Sequence, residues 1–277
     1  MASVFTPAQL AAFETDGYVL IRGLFDSQEI SLIRSSIEQD PDLQNSLYNR
    51  KDAQGKATMM ATWNHPGDSA YGLAARTERV VDTMEQMLRG EVYHYHSKLT
   101  AKEPLDGGAW EWHQDYGYWY KNQFMFPDQL ISVMVALTPA NKQNGCLQVI
   151  KGSHKLGRIN HGFAGEQVGA DMVMVNNALK TMDLVYVEIE PGDALFFHSN
   201  ILHRSEANLS DHPRWSIISC YASQSNLAYN ENSTSWKTPM ELVPDNAITD
   251  WESISVSNAD FLKKENDPAL KETGWEK

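Results

Sequence analysis

Trp110-Glu111-Trp112-His113-Gln114-Asp115-Tyr116-Gly117-Tyr118-Trp119-Tyr120 is the stretch around which the chain is organised. Read as part of an extended strand over Gly108 to Tyr116, it turns side chains two apart to one face, so His113 and Asp115 present an imidazole and a carboxylate together. Such a pair can hold a metal. Far downstream, Pro191-Gly192-Asp193 opens a turn, Ala194 to His198 reads as a strand, and Ile201-Leu202-His203-Arg204-Ser205 offers a third ligand in His203. Arg214 follows by the length of a hairpin.

Two histidines and one carboxylate are what a mononuclear Fe(II) oxygenase uses, because three positions must stay open on the opposite face. Three protein ligands equally describe catalytic zinc. Of the remaining histidines, His198 is the competing ligand and reads as a strand residue satisfied by hydrogen bonds. His154, in Gly152-Ser153-His154, is expected to fix a turn, and His65 and His212 sit beside prolines in loops. His94 and His96 alternate on one strand, where a structural role is expected.

Working outward, short strands separated by turn residues run from Glu91 onward, the signature of an antiparallel sandwich or barrel. They are expected at Val92 to Thr100, Gly108 to Tyr116, Leu130 to Leu137, Cys146 to Ile150, Leu184 to Glu188, Ala194 to His198 and Trp215 to Tyr221. Upstream, Thr6-Pro7-Ala8-Gln9 and Asp26-Ser27-Gln28-Glu29 are capping boxes that open two helices, with strand Tyr18 to Ile21 between them. Pro41 to about Tyr71 reads as a loop-rich excursion. A third amphipathic helix is expected from Ala75 to Leu88, ending at Gly90. The polar tail from Asn232 to Lys277 carries a possible helix near Asn258 to Lys264 and is suited to cover an edge or an interface, so a homo-oligomer is compatible with the sequence. The expected organisation is one domain over 1–277: a helical N-terminal segment (1–90), a β core (about 91–225) and a polar tail (about 226–277).

The 23 basic and 36 acidic residues give a formal net charge of −13, which argues against nucleic acid, whose backbone is gripped by clustered Lys and Arg. Cys146 and Cys220 are too few for a disulfide framework and lack CxxC spacing. No secretory signal opens the chain and no apolar run reaches the ~20 residues of a membrane span. A cytoplasmic protein acting on a small molecule, with neither membrane nor nucleic acid as partner, is the expectation.

Trp112-His113-Gln114-Asp115, then Asn144-Gly145-Cys146-Leu147-Gln148-Val149-Ile150-Lys151-Gly152-Ser153-His154, then Gly192-Asp193 to His203, Ser205, Asn208 and Arg214, together resemble the phytanoyl-CoA dioxygenase family. Phe13 to Leu24 resembles that family's usual opening, and the likeness covers about residues 5 to 225. It implies an α+β, β-rich fold: a double-stranded β-helix (jelly-roll, cupin-like) core flanked by N-terminal helices. It also implies Fe(II) on His113, Asp115 and His203, with 2-oxoglutarate and O2 as cosubstrates and Arg214 and Ser205 on the distal carboxylate of 2-oxoglutarate. A guanidinium suits that task, since it offers a planar fork to a carboxylate and stays charged. Trp119 and Phe197 resemble aromatics of the family's ectoine-hydroxylase branch, and Lys98 stands where that branch has Arg, facing an anionic group on substrate or cosubstrate.

Asp115 favours hydroxylation, because related halogenases carry a small residue there. The implied activity is hydroxylation of a small polar or zwitterionic metabolite, such as an amino acid derivative or an aminophosphonate, with release of succinate and CO2. Desaturation, cyclisation or epimerisation would need the same cofactors. A non-redox metal-binding jelly roll or a zinc hydrolase is the reading from a different class, and Arg214 with Ser205 speaks against it.

Overall fold

Local signals set the N-terminal elements. Thr6 accepts the Gln9 N–H at 3.3 Å while the Gln9 side chain accepts the Thr6 N–H at 2.8 Å, a reciprocal cap that starts helix α1 (Pro7–Asp16). The chain passes through Gly17 directly into strand β1 (Tyr18–Ile21). Asp26 and Glu29 cap helix α2 (Ser27–Gln39) in the same manner. The structure, a computed structural model, describes residues 5–120, 126–227, 240–252 and 259–266.

The 41–71 segment is not the loop-rich excursion expected. It forms helix α3 (Pro41–Ser46), strands β2 (Tyr48–Lys51) and β3 (Ala57–Trp63), and helix α4 (Ala70–Ala74). Asp52 builds the hairpin turn, its Oδ1 accepting the N–H groups of Gln54 and Lys56, both at 2.9 Å. Asn49, Arg50 and Lys51 have weak strand character of their own, so order comes from the ladder, β2 on β3 and β3 on β4 (Val92–Lys102). Between them, helix α5 (Glu78–Leu88) starts later than Ala75 and ends on Arg89, not Gly90, with Arg89 in the left-handed region at φ 57°.

The remaining elements are β5 (Trp110–His113), α6 (Asp115–Trp119), β6 (Leu130–Ala136), β7 (Leu147–Ile150), β8 (His161–Ala164), β9 (Gln167–Ala170), α7 (Met172–Leu179), β10 (Leu184–Val187), β11 (Ala194–His198), β12 (His203–Ser205) and β13 (Arg214–Ser223). A seven-stranded sheet in the order β1-β11-β6-β13-β4-β3-β2 faces a four-stranded sheet in the order β10-β7-β12-β5, every pair antiparallel. This is the double-stranded β-helix. One face of the large sheet packs Val133, Phe196 and Ile217 against Phe13, Ile33 and Met84 of the helices. Its other face turns Leu130, Met134 and Ile218 toward Leu147 and Val149 of the small sheet, and the functional groups emerge on that inner side. The small sheet's own outer face is closed by Trp112, Ile150 and Leu202 under Val175 and Ala178 of α7.

The hairpin β8–β9 and helix α7 had no counterpart among the expected elements, and the expected strand Gly108 to Tyr116 stops at His113. The expected helix near Asn258 to Lys264 is not formed over 259–263, and only a 3-10 turn follows at Lys264–Asn266; Asn258 lies outside the described residues. Instead Phe261 bridges Trp63, and the Leu262 N–H donates to the Thr62 carbonyl at 2.7 Å, so this strip lies along β3. Cys146 and Cys220 are buried free thiols. Among the described residues no helix is long and apolar enough to cross a membrane.

The Pro-Gly-Asp turn ties the N-terminal layer to the strand that leads to His203. Gly192 holds φ +91°, and a Cβ there would lie 2.1 Å from the Phe25 carbonyl oxygen. The Phe25 N–H donates to the Gly192 carbonyl at 3.1 Å, and the Asp193 carboxylate accepts from the Gly23 N–H at 2.8 Å. Gly192→Ala should therefore destabilise the fold by about 1–3 kcal/mol, read from the urea midpoint; an unchanged midpoint would show the turn to be slack.

Candidate active site

The site is built where β5 ends beside β12. His113 and His203 are register partners across these antiparallel strands, so both imidazoles leave on the same face, with ring centroids 4.0 Å apart. Gln114 keeps an extended backbone (φ −110°, ψ 135°), which returns Asp115 to the side of His113 even though Asp115 already opens α6. The same-side relation read from the sequence holds; the uninterrupted strand does not.

Asp115 Oδ1 lies 3.7 Å from His113 Nε2 and 3.8 Å from His203 Nε2. The three donor atoms fall within 4.8 Å of one another, and all three residues are buried. Each ring is oriented by its other nitrogen: His113 Nδ1 donates to the Glu111 carbonyl at 2.7 Å and His203 Nδ1 to the Ile201 carbonyl at 3.0 Å, leaving both Nε2 lone pairs turned inward. Burial pushes both imidazoles below their ordinary pKa; at His203 it outweighs the opposing pull of the Asp115 carboxylate, and at His113 the close approach of the second ring adds to it, so both are neutral donors. Burial alone would raise the Asp115 carboxyl. Lys98, His203 and the Ser132 hydroxyl together outweigh it and hold the group below the usual range, as a carboxylate. Ser132 donates to Oδ2 at 3.0 Å and Lys98 Nζ lies 3.8 Å from Oδ1. Two neutral imidazoles and a carboxylate within reach of one another are a donor set that fits one Fe(II).

Arg214 stands at the start of β13, on the same face as Ile218 and Cys220. Its guanidinium is buried; among the described residues its Nε has no hydrogen-bond partner, and Nη2 lies 3.6 Å from Met134 Sδ. Burial lowers its pKa to about 10, which leaves it cationic at neutral pH. No carboxylate of the described residues pairs with it, an arrangement that favours an anionic ligand there. Lys102, the register partner of Arg214, reaches the carbonyls of Ser205 and Glu206 and so ties the Ser205 backbone to the same end of the barrel. Lys98, Thr100 and Lys102 share this face by strand alternation, the signal by which Lys102 could have been found in the sequence.

A bulge decides the opposite wall. β4 slips one residue against β13, so Cys220 faces His96 and Tyr221 faces His94. His94 and His96 therefore do not share a face. His94 turns outward, bonded to the Asn64 carbonyl at 2.9 Å and Ser97 Oγ at 2.8 Å, whereas His96 turns inward beside Trp119 at a centroid distance of 5.7 Å. Burial pushes His96 down to about 3, so it is neutral. Trp119 also meets Tyr95 edge-on, and Phe197 meets His203 at 5.1 Å. Helical spacing in α6 disperses its aromatics: Tyr118 packs on His113, while Tyr120 lies under Arg158.

His198 lies on the other face of the large sheet, 3.2 Å from Asp128 and stacked near His154 and Phe13, so it is not a fourth donor. His154 bonds the Glu14 carbonyl at 3.3 Å and fixes a turn, as expected.

The family model for phytanoyl-CoA dioxygenase matches residues 13–216. The chain belongs to the phytanoyl-CoA dioxygenase family. It is therefore an Fe(II)- and 2-oxoglutarate-dependent dioxygenase. Among relatives, it is 24% identical over 245 residues to the ectoine dioxygenase of Bordetella parapertussis, covering 81% of this chain and 78% of that protein. The structure of EctD from S. alaskensis with bound Fe superposes with a TM-score of 0.70 at 21% identity, over 88% of this chain and 89% of that one. The structure of the same protein with 2-oxoglutarate and 5-hydroxyectoine gives 0.69 at 22% identity, over 88% and 86%. These superpositions show the shared jelly-roll fold.

Iron content after anaerobic loading and desalting separates the two downstream histidines. His203→Ala should lose most of the bound iron and His198→Ala should retain it; the reverse pattern would exchange their roles.

Proposed function

We propose that this dioxygenase hydroxylates a small zwitterionic metabolite at a C–H bond, with His113, Asp115 and His203 holding Fe(II) and Arg214 with Ser205 holding the distal carboxylate of 2-oxoglutarate. The observation that carries the reading is Arg214: a buried guanidinium without a carboxylate partner among the described residues, in a barrel that also holds a three-donor metal cluster. A hydrolase with the same three ligands has no use for it. The name of the Bordetella relative, an ectoine dioxygenase, supports a compact zwitterion over a large thioester.

When bound, Fe(II), 2-oxoglutarate and O2 supply the oxidising chemistry, and succinate and CO2 leave as coproducts. The protein supplies position and charge. Lys98, close to Asp115, meets an anionic group of the substrate, while Trp119, Tyr95 and the neutral His96 form a wall that accepts its less polar part. Phe197 packs on His203 and holds that ring in place. Residues 1–277 make one such domain in this reading, its tail contributing Trp251 and Phe261 to the packing of the helical layer.

Succinate release from protein given Fe(II), ascorbate, 2-oxoglutarate and O2 tests the substrate class. Small cyclic and linear zwitterions should stimulate it, and stimulation by CoA thioesters alone would overturn the proposal. Arg214→Ala should raise the KM for 2-oxoglutarate roughly 10- to 100-fold, the loss of one charge-assisted pair, with little change in iron affinity. An unchanged KM would remove Arg214 from the cosubstrate site.

A further inference from the structure

Gln114 joins two metal donors and is itself fully buried, so its peptide fixes the distance between His113 and Asp115. Its side chain is saturated: Nε2 donates to the carbonyls of Gly157 and Asn200, both at 2.8 Å, and Oε1 accepts the Ile159 N–H at 2.7 Å. Its backbone N–H goes elsewhere, to Nε2 of His161 at 3.0 Å. His161 sits at the start of β8, on the hairpin that covers the small sheet.

The His161 ring can accept because its other nitrogen donates. Nδ1 lies 2.7 Å from the Ile159 carbonyl, which sets the tautomer with the lone pair on Nε2. Burial pushes its pKa down to about 4, so the ring is neutral at neutral pH. The same ring seats against α6, where a Cβ on Gly117 would fall 2.2 Å from its Cε1 and Nε2. One imidazole therefore touches the residue between the donors and the helix that begins on the second donor. A purely space-filling role would not require the acceptor.

We propose that His161 is a positioning residue for the metal centre: by accepting the Gln114 N–H it holds the peptide between His113 and Asp115, and the grip on iron depends on that acceptor. This rests on the assignment of His113, Asp115 and His203 as iron ligands. Outer partners of metal donors tune affinity by about 10- to 100-fold when removed.

The experiment is equilibrium dialysis against Fe(II) under anaerobic conditions, with melting temperatures recorded for every variant. His161→Phe fills the space without an acceptor and should weaken iron binding by about 10- to 100-fold. His161→Gln places an amide oxygen near the Nε2 position and should recover most of the affinity. Should the Phe variant fail to fold, His161→Asn replaces it, since its shorter amide serves Ile159 and falls short of Gln114; the same loss is expected. Wild-type affinity in the Phe or Asn variant, or equal weakness in the Gln variant at wild-type melting temperature, overturns the proposal. His113→Ala is the separate control: if it binds iron like the wild type, the metal-centre assignment fails, whatever the His161 variants do.

Discussion

Opposite one another on β5 and β12, His113 and His203 have no means of avoiding each other. Cross-strand partners on one face of a sheet stand a few ångströms apart, and here the rings meet at 4.0 Å. Two buried imidazoles so close cannot both be charged, and burial makes both neutral, the state in which a ring nitrogen can donate to a metal. Asp115 completes the set from the other direction, braced by Ser132 and Lys98 of the large sheet. The site thus spans both sheets, and each must be in place for three donors to coincide.

Charge is distributed against the composition. The chain carries a formal −13, yet the inner face of the large sheet presents Lys98, Lys102 and Arg214 in the barrel, with Asp115 opposing them. Buried cations are costly unless a partner meets them, and carbonyls meet Lys102 while Arg214 Nε has no partner among the described residues. An interior of that kind favours a dicarboxylate over a neutral ligand. The slip of β4 against β13 shapes another part of the interior, because it sends His94 into the helical layer and leaves His96 and Tyr95 against Trp119.

Much of this was legible residue by residue. The capping boxes at Thr6 and Asp26, the strands β4, β6, β7, β10, β11 and β13, and the donors His113, Asp115 and His203 follow from periodicity, spacing and a family likeness. The misreadings have one cause. β2, with Asn49, Arg50 and Lys51, is a strand because β3 offers a ladder, and the Phe261 strip lies along β3 because Trp63 and Thr62 offer partners there. His161 carried no signal in the sequence, since what sets it apart is the N–H it accepts from Gln114, 47 positions upstream.

What the sequence determined alone was the inventory: which side chains can ligate, which can carry charge, and where helices must start, all effects acting over a few neighbouring residues. What the tertiary structure decided was company. Which face His96 occupies, which backbone Lys102 tethers and which amide His161 receives depend on register between strands far apart in the chain, and register is settled only when the two sheets close over a common core.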